Sequence, residues 1–324
     1  VAGLSWNNSA ERFFSNNTLS RKFRAMGQPM VRYRQFCDKD PQYGKRSGQK
    51  LLFNKKSDAS GSAIGGRIIG IGQPIPRGRF ETFQGECVAL PSGYAIPWEE
   101  EFETFSEFEV RDPISSTLTD DMVKALDWRA WDQFDDTDVA YTPRGAIDTP
   151  TYDWTFNNAV PSNAATRDWQ LWDYKNIIDA LKKGRYGGST GKQVPPWDGV
   201  NYICIGGVDS LRALKDDPDW EKAQYYGDPE KLFSGETGRI YTGRCIEDNH
   251  LASTINGFKG EAVIFGADAV MECVATPEEI REGIPGDFGR DMALAWYYLG
   301  GFKCIWDFST DGDNRIVKIR GTAN

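Results

Sequence analysis

The sequence predicts an α+β fold in which a basic N-terminal arm, a long projecting β-hairpin and one long helix are attached to a mixed α/β body. Three observations lead there. Residues 57–79 are rich in glycine and proline and lie between two strand-like runs. Apolar residues recur at helical spacing from Ile114 to Phe134. Beyond Pro196, short uninterrupted apolar runs alternate with helix-like segments.

The arm is identified by charge. Residues 1–56 carry 12 basic side chains against 3 acids, while the rest of the 324-residue chain carries 26 against 44. A basic segment on an acidic body suggests contact with an anionic partner, either nucleic acid or the acidic body of a neighbouring copy. A solvated charged surface accounts for the charge alone equally well. The arm interleaves Arg12, Arg21, Arg24, Arg32 and Arg34 with apolar residues such as Phe13 and Phe23. That much apolar surface needs a protein to cover it, which favours the neighbour and makes these residues inter-subunit candidates.

The glycine-rich stretch follows. Strand-like runs at Lys50–Phe53 and Glu86–Leu90 flank it, so the segment reads as a long hairpin. Loops of this length are usually functional or docked on a partner, which adds Ile64, Arg67, Ile68 and Ile71 to the inter-subunit candidates.

A helix is expected next, with Asp112 as N-cap, Pro113 in the first position, and Asp120 and Asp121 in its N-terminal half. Over 113–139 it would be about 40 Å long. A second amphipathic helix is expected over 166–183, with Trp169, Trp172, Ile177, Ile178 and Leu181 on one side and Gly184 as its stop. Gly187–Pro196 reads as a flexible linker. Tyr202–Ile205 reads as a buried strand, Val208–Lys215 as a short helix, and Arg239–Ile246 and Ala262–Phe265 as two more strands. A closing hairpin is expected, with Ala295–Asp307 and Arg315–Arg320 flanking a turn at 311–314, and with Trp296, Tyr298, Phe302, Ile305 and Trp306 mostly buried.

Catalytic chemistry is hard to find. Gly187–Lys192 resembles a phosphate loop, but Tyr186 stands where its first glycine is needed and Gln193 where Ser or Thr is needed. Gly70-Ile71-Gly72 lacks the third glycine of the dinucleotide pattern, Ile75 standing there. The single histidine, His250, lies in a polar stretch and has no ligand-like neighbour, so neither a zinc site nor a His-based triad is expected. The six cysteines show no C-x-x-C spacing and read as buried free thiols of a protein made in a reducing cytoplasm. A net charge of −9 argues against sequence-independent DNA binding. There is no apolar run long enough for a membrane span and no signal-peptide pattern at the N-terminus, so neither is expected. The alternative reading is a carboxylate-based carbohydrate-active enzyme or a Trp-rich carbohydrate-binding module. It draws on the 15 acids within residues 99–148 and on the 11 tryptophans. Runs of acids are usually solvated faces, and no motif singles out a catalytic pair.

Residues 209–249 and 260–307 contain an ordered set of short patterns: Asp217-Pro218-Asp219, Leu232-Phe233-Ser234-Gly235-Glu236-Thr237-Gly238, Phe265-Gly266 and Trp296-Tyr297-Tyr298-Leu299-Gly300-Gly301. This set resembles the axial domain of the major capsid proteins of N4-like tailed phages. The resemblance is close over about a third of the chain and follows the order of elements throughout. It implies an HK97-type capsid fold: N-terminal arm (1–48), extended loop with flanking strands (49–111), peripheral domain with a spine helix (112–164), axial domain (165–290) and closing strands of the peripheral domain (291–324). It also implies a structural, non-enzymatic role without cofactors, in a virion shell of hexamers and pentamers assembled in the bacterial cytoplasm. The enclosed double-stranded DNA would be held by weak contact, with portal, scaffolding and decoration proteins as further partners and no membrane.

Overall fold

The computed structural model describes residues 32–41, 43–44, 46–56, 68–75, 77, 80–105, 110–156, 165–226, 236–248, 258–259, 261–284 and 290–323. In chain order its longer elements are β1 (Lys50–Lys56), β2 (Thr82–Val88), β3 (Leu90–Glu99), α1 (Glu100–Phe105), α2 (Arg111–Asp135), β4 (Ala140–Gly145) and β5 (Pro150–Thr155). There follow α3 (Leu171–Lys183), β6 (Tyr202–Gly207), α4 (Val208–Lys215), α5 (Pro218–Tyr226), β7 (Glu236–Ile240), β8 (Gly243–Asp248), β9 (Ala262–Phe265), β10 (Val270–Glu282), β11 (Asp291–Cys304) and β12 (Ile316–Ile319).

Two sheets organise these elements. The larger has seven strands in the order β7-β8-β6-β9-β12-β4-β5. The smaller has four, in which the two-residue strand Asp38–Lys39 pairs with β10, then β11, then β3. The apolar runs at 202–205 and 262–265 are central strands of the larger sheet, and every residue of both is buried. Their side chains alternate between two cores. Tyr202, Cys204 and Ile264 pack with Tyr174, Ile177 and Leu181 of α3, whereas Ile203, Ile205 and Phe265 pack with Trp131 and Phe134 of α2. A strand covered on both faces has no polar face, so its sequence shows no alternation.

Helix α2 serves both sheets. Leu118 and Leu126 pack on Trp296 and Tyr298 of β11, and one or two turns later Ala130, Trp131 and Phe134 pack on the seven-stranded sheet. With 25 residues it is about 37 Å long. It begins after Val110, so Asp112 is not the N-cap and Pro113 occupies the third position, where the missing N–H costs nothing. It stops at Asp135 rather than 139. The Thr137 hydroxyl donates to the Ile316 carbonyl at 2.8 Å, and the chain turns there into β4.

Other expectations are corrected by local bonding. Helix α3 starts at Leu171, where Gln170 and Asp173 form a capping box, and the preceding Arg167 is held outside the helix by the Arg144 carbonyl. Gly184 ends the helix with φ +63°, as expected. The supposed flexible linker contains a tight hairpin, Arg185–Tyr186 with Ser189–Thr190, turned by Gly187 and anchored by the buried ring of Tyr186. The strand expected over 239–246 is two antiparallel strands, β7 and β8, because Tyr241 and Thr242 both take positive φ and reverse the chain. Strands β11 and β12 do not form a closing hairpin. A helical turn over Phe308–Asp311, capped by the Asp307 carboxylate, sends β11 into the four-stranded sheet and β12 into the seven-stranded one. Of the closing aromatics, Trp296 and Tyr298 are buried, as is Ile305, while Phe302 and Trp306 are half-buried. Strand pairing thus places 140–155 and 316–319 in the seven-stranded sheet, and 90–99 and 270–282 in the four-stranded one.

Asp173 is a fully buried carboxylate. Its carboxylate accepts from Arg167 Nη1 and Nη2 at 2.6 and 2.7 Å and from the Tyr141 hydroxyl at 2.6 Å. Asp173→Ala leaves the buried guanidinium unpaired, and the expected loss of stability is about 3–5 kcal/mol in urea unfolding. A loss under about 1 kcal/mol would show that solvent reaches Arg167.

Candidate assembly surfaces

The root of the arm is bound to its own chain. Residues 34–36 form one 3₁₀ turn, and Asp127 of α2 aims a buried carboxylate at its N-terminal end. Oδ1 accepts from the backbone N–H groups of Tyr33 and Arg34, both at 2.9 Å, and Oδ2 from that of Arg32 at 3.2 Å. Three orphan donors are thereby satisfied by one anion. Tyr33 and Phe36 close over the site, their rings 5.8 Å from Phe134 and 5.5 Å from Phe265.

Arg34 makes the second half of this clasp. Its guanidinium donates to Glu272 Oε1 from Nε and Nη2, at 3.1 and 2.8 Å, and to both carboxylate oxygens of Glu278 at 2.9 Å. The Tyr298 hydroxyl also donates to Glu272, at 3.0 Å. Hydrogen bonds from Arg34 hold the Glu278 carboxyl below its ordinary pKa, and burial beside Glu272 pushes the Tyr298 phenol up. The strand Asp38–Lys39 then runs parallel to Met271–Glu272.

This geometry revises the arm candidates. Within the chain, Arg34 is paired with two glutamates. Arg32 is half-buried at the clasp. Arg12, Arg21, Arg24, Phe13 and Phe23 lie outside the described residues, as do Ile64, Arg67 and His250.

The hairpin leaves the body beside the clasp. Strands β1 and β2 pair in register from Lys50↔Val88 to Lys56↔Thr82. The outer end of this ladder is pinned by Lys55, whose Nζ donates to the Ile305 carbonyl at 3.0 Å. Trp306 stacks between Lys55 and Arg315, whose charged groups lie 5.7 and 4.2 Å from its ring. Farther out, Ile68 and Ile71 are fully exposed among the described residues, and Ile75 and Phe80 are mostly exposed. Of the loop candidates, Ile68 and Ile71 are therefore available to a partner.

Beneath the ladder a cavity of about 330 Å³ is lined by Lys55, Glu86, Asp136, Asp138, Lys303 and Asp307 among others. Two of its carboxylates converge on one donor, the Ser309 N–H, which lies 2.9 Å from Asp307 Oδ1 and 3.3 Å from Asp138 Oδ2. Burial, together with a hydrogen bond shared with Asp307, raises the Asp138 carboxyl to about 6.

Three of the acids of 99–148 that the carbohydrate reading relied on have structural partners. Asp127 holds the arm, Asp121 accepts from the Trp296 indole at 2.8 Å, and Asp135 pairs with Lys318. Trp98, Trp131, Trp169, Trp220 and Trp296 are buried, so they offer no sugar platform. Among the described residues no three His, Cys, Asp or Glu side chains converge as a metal site, and no helix is long and apolar enough to cross a membrane. Sequence reasoning missed Asp127 and Glu272, because a buried carboxylate whose partners are about 95 and 238 residues away leaves no local signal. The Trp296–Gly301 pattern was visible, and its role is now clear: Trp296 and Tyr298 anchor α2 and the clasp. A Cβ on Gly300 would collide with the Cys273 carbonyl and one on Gly301 with that of Val88.

Two outcomes follow for solution measurements. Glu272→Gln should cost about 3 kcal/mol of stability, since it strips a fully buried charge from Arg34 and Tyr298. An effect within about 0.5 kcal/mol would reduce the clasp to a surface pair. Asp138 binds its proton more tightly folded than unfolded, so its contribution to stability is present at low pH and is lost as pH rises from about 4 to about 6. Asp138→Asn should remove that part of the slope, and identical stability–pH profiles for both proteins would refute the coupling.

No protein-family model and no curated protein matches the chain. Solved structures do. The capsid of Ralstonia phage GP4 superposes with a TM-score of 0.70 at 12% identity, covering 100% of this chain and 98% of that one. The acid-stable capsid of Helicobacter pylori bacteriophage KHP30 gives 0.67 at 13% identity, over 98% and 97%. The capsid asymmetric unit of cyanophage Pam1 gives 0.64 at 15% identity, over 100% of both chains. Over its whole length, the chain has the HK97-type fold of these phage capsid subunits.

Proposed function

We propose that this chain is the major capsid protein of a double-stranded DNA bacteriophage of the N4-like group. It self-assembles into hexamers and pentamers of an icosahedral head and has no catalytic role. The observation that carries this reading is end-to-end likeness to capsid subunits, with nearly all of both chains superposed. The exposed isoleucines of the hairpin support it, because an apolar tip held away from its own core needs a second subunit to cover it.

In this reading residues 1–48 are the arm, the β1–β2 hairpin is the extended loop, α2 with the four-stranded sheet is the peripheral domain, and the seven-stranded sheet with α3, α4 and α5 is the axial domain. The arm residues ahead of Arg32 and the loop residues Ile64, Arg67, Ile68 and Ile71 contact neighbouring subunits. Heterologous contacts of this kind close into rings and rings into shells. The acidic body keeps DNA contact weak, so the packaged genome slides freely. Assembly takes place in the bacterial cytoplasm, with portal, scaffolding and decoration proteins as partners of the finished virion.

Electron microscopy of the purified chain tests this directly, with capsomers or shells expected. Replacing 57–79 by a short turn should leave a folded subunit that forms no shells, and normal particles from it would overturn the assignment. Deleting 1–31 retains the Asp127 and Arg34 clasp, so loss of shells at unchanged monomer stability is the expected result for an arm that binds neighbours. Robust empty shells from this truncation would return the arm to DNA.

A further inference from the structure

The fold brings together cysteines that are far apart in sequence. Cys87 of β2 and Cys273 of β10, 186 residues apart, have their sulfurs 2.9 Å from each other, and both side chains are buried among Tyr43, Ala89, Leu51 and Phe53. They meet because Gly300 and Gly301 of β11 carry no side chains. A Cβ on either residue would collide with the Cys273 or Val88 carbonyl, so β2 can lie directly on the four-stranded sheet only over this glycine floor. The same glycines border a groove of about 600 Å³, together with Val88, Phe302 and Trp128. One of its lining residues, Val88, is the chain neighbour of Cys87.

We propose that Cys87 and Cys273 are a redox pair that hydrogen peroxide oxidises to a disulfide, stapling the root of the hairpin to the four-stranded sheet. The Cys273 thiolate attacks one peroxide oxygen and breaks the O–O bond, which leaves a sulfenic acid and releases hydroxide. The hydroxide takes the Cys87 proton and becomes water. The Cys87 sulfur then displaces the sulfenic hydroxyl, which leaves with a proton as a second water. Two thiols and one peroxide thus yield one disulfide and two waters, the sulfurs giving up the two electrons that the peroxide gains. Roles are set by the hydrogen bond that Cys87 donates to Cys273: it lowers the pKa of Cys273 and raises that of Cys87, so Cys273 is the attacking thiolate. From 2.9 Å to the bond length of about 2.05 Å the sulfurs close by less than about 1 Å. Cys204 and Cys245 also face each other, across β6 and β8, but they lie in the core under α3, and the proposal does not extend to them. The inference depends on the fold alone and holds whether or not the chain forms shells.

The test uses the full-length wild-type protein, treated with hydrogen peroxide, unfolded, alkylated and mapped by mass spectrometry without reduction. The expected product is one linked peptide pair containing Cys87 and Cys273, lighter by two hydrogens and split by a phosphine. The oxidised protein should melt roughly 4–8 °C higher than the reduced one. Cys87→Ser, once shown to be folded by circular dichroism, should leave Cys273 as a sulfenic acid that dimedone traps. Should that variant not fold, the wild-type map decides alone. Full alkylation of both cysteines after peroxide, a linkage between any other pair, or sulfinic acid at Cys273 without the crosslink would each overturn the proposal.

Discussion

One helix carrying two sheets is the constraint on which the rest of this structure depends. The first turns of α2 bury Leu118 and Leu126 against β11, and its last turns bury Trp131 and Phe134 against the seven-stranded sheet. A rigid rod of about 37 Å fixes the distance and angle between the sheets, because an α-helix neither stretches nor bends without losing hydrogen bonds. The arm root attaches to it through Asp127. In a subunit proposed to tile a shell, this rod sets how the projecting parts are aimed at neighbours.

Around the rod, specificity comes from buried charge. Asp127, Arg34, Glu272, Glu278 and Tyr298 form a connected set in which one carboxylate caps a 3₁₀ turn and one guanidinium serves two glutamates. Asp173, Arg167 and Tyr141 form another on the opposite face of the large sheet. Such sets are expensive to desolvate and contribute little net stability compared with apolar packing. What they do is exclude alternatives: a slipped register of Asp38–Lys39 on β10 would leave several buried charges unmatched.

The projecting parts follow the opposite rule. They are tied to the body by Lys55, Trp306, the glycine floor and the clasp, while the hairpin tip exposes Ile68 and Ile71 to solvent. A fixed root with an uncovered apolar tip makes sense when a second copy supplies the missing surface. Anchoring lowers the ordering entropy that such an association would otherwise cost.

Much of this was legible in the sequence where the signal is local. The long helix, the helix at 208–215, the strand at 262–265, the Gly184 stop and the glycine-rich hairpin depend on neighbours a few residues away, and spacing alone revealed them. Element ends were misread where a distant partner decides them: Thr137 reaching Ile316, Arg167 reaching Arg144, or Asp307 capping the turn that separates β11 from β12. The clasp and the paired thiols were invisible, because Asp127, Arg34, Glu272, Cys87 and Cys273 each look like ordinary surface acids, a basic arm residue and isolated cysteines until the sheets bring them together. Composition and periodicity determined which segments are helix, strand and projecting loop, since those follow from side-chain pattern and backbone sterics. Only the tertiary structure decided which charges neutralise each other and which thiols touch, since Coulomb forces, hydrogen bonds and sulfur contacts act on distance in space, and sequence separation carries no record of that distance.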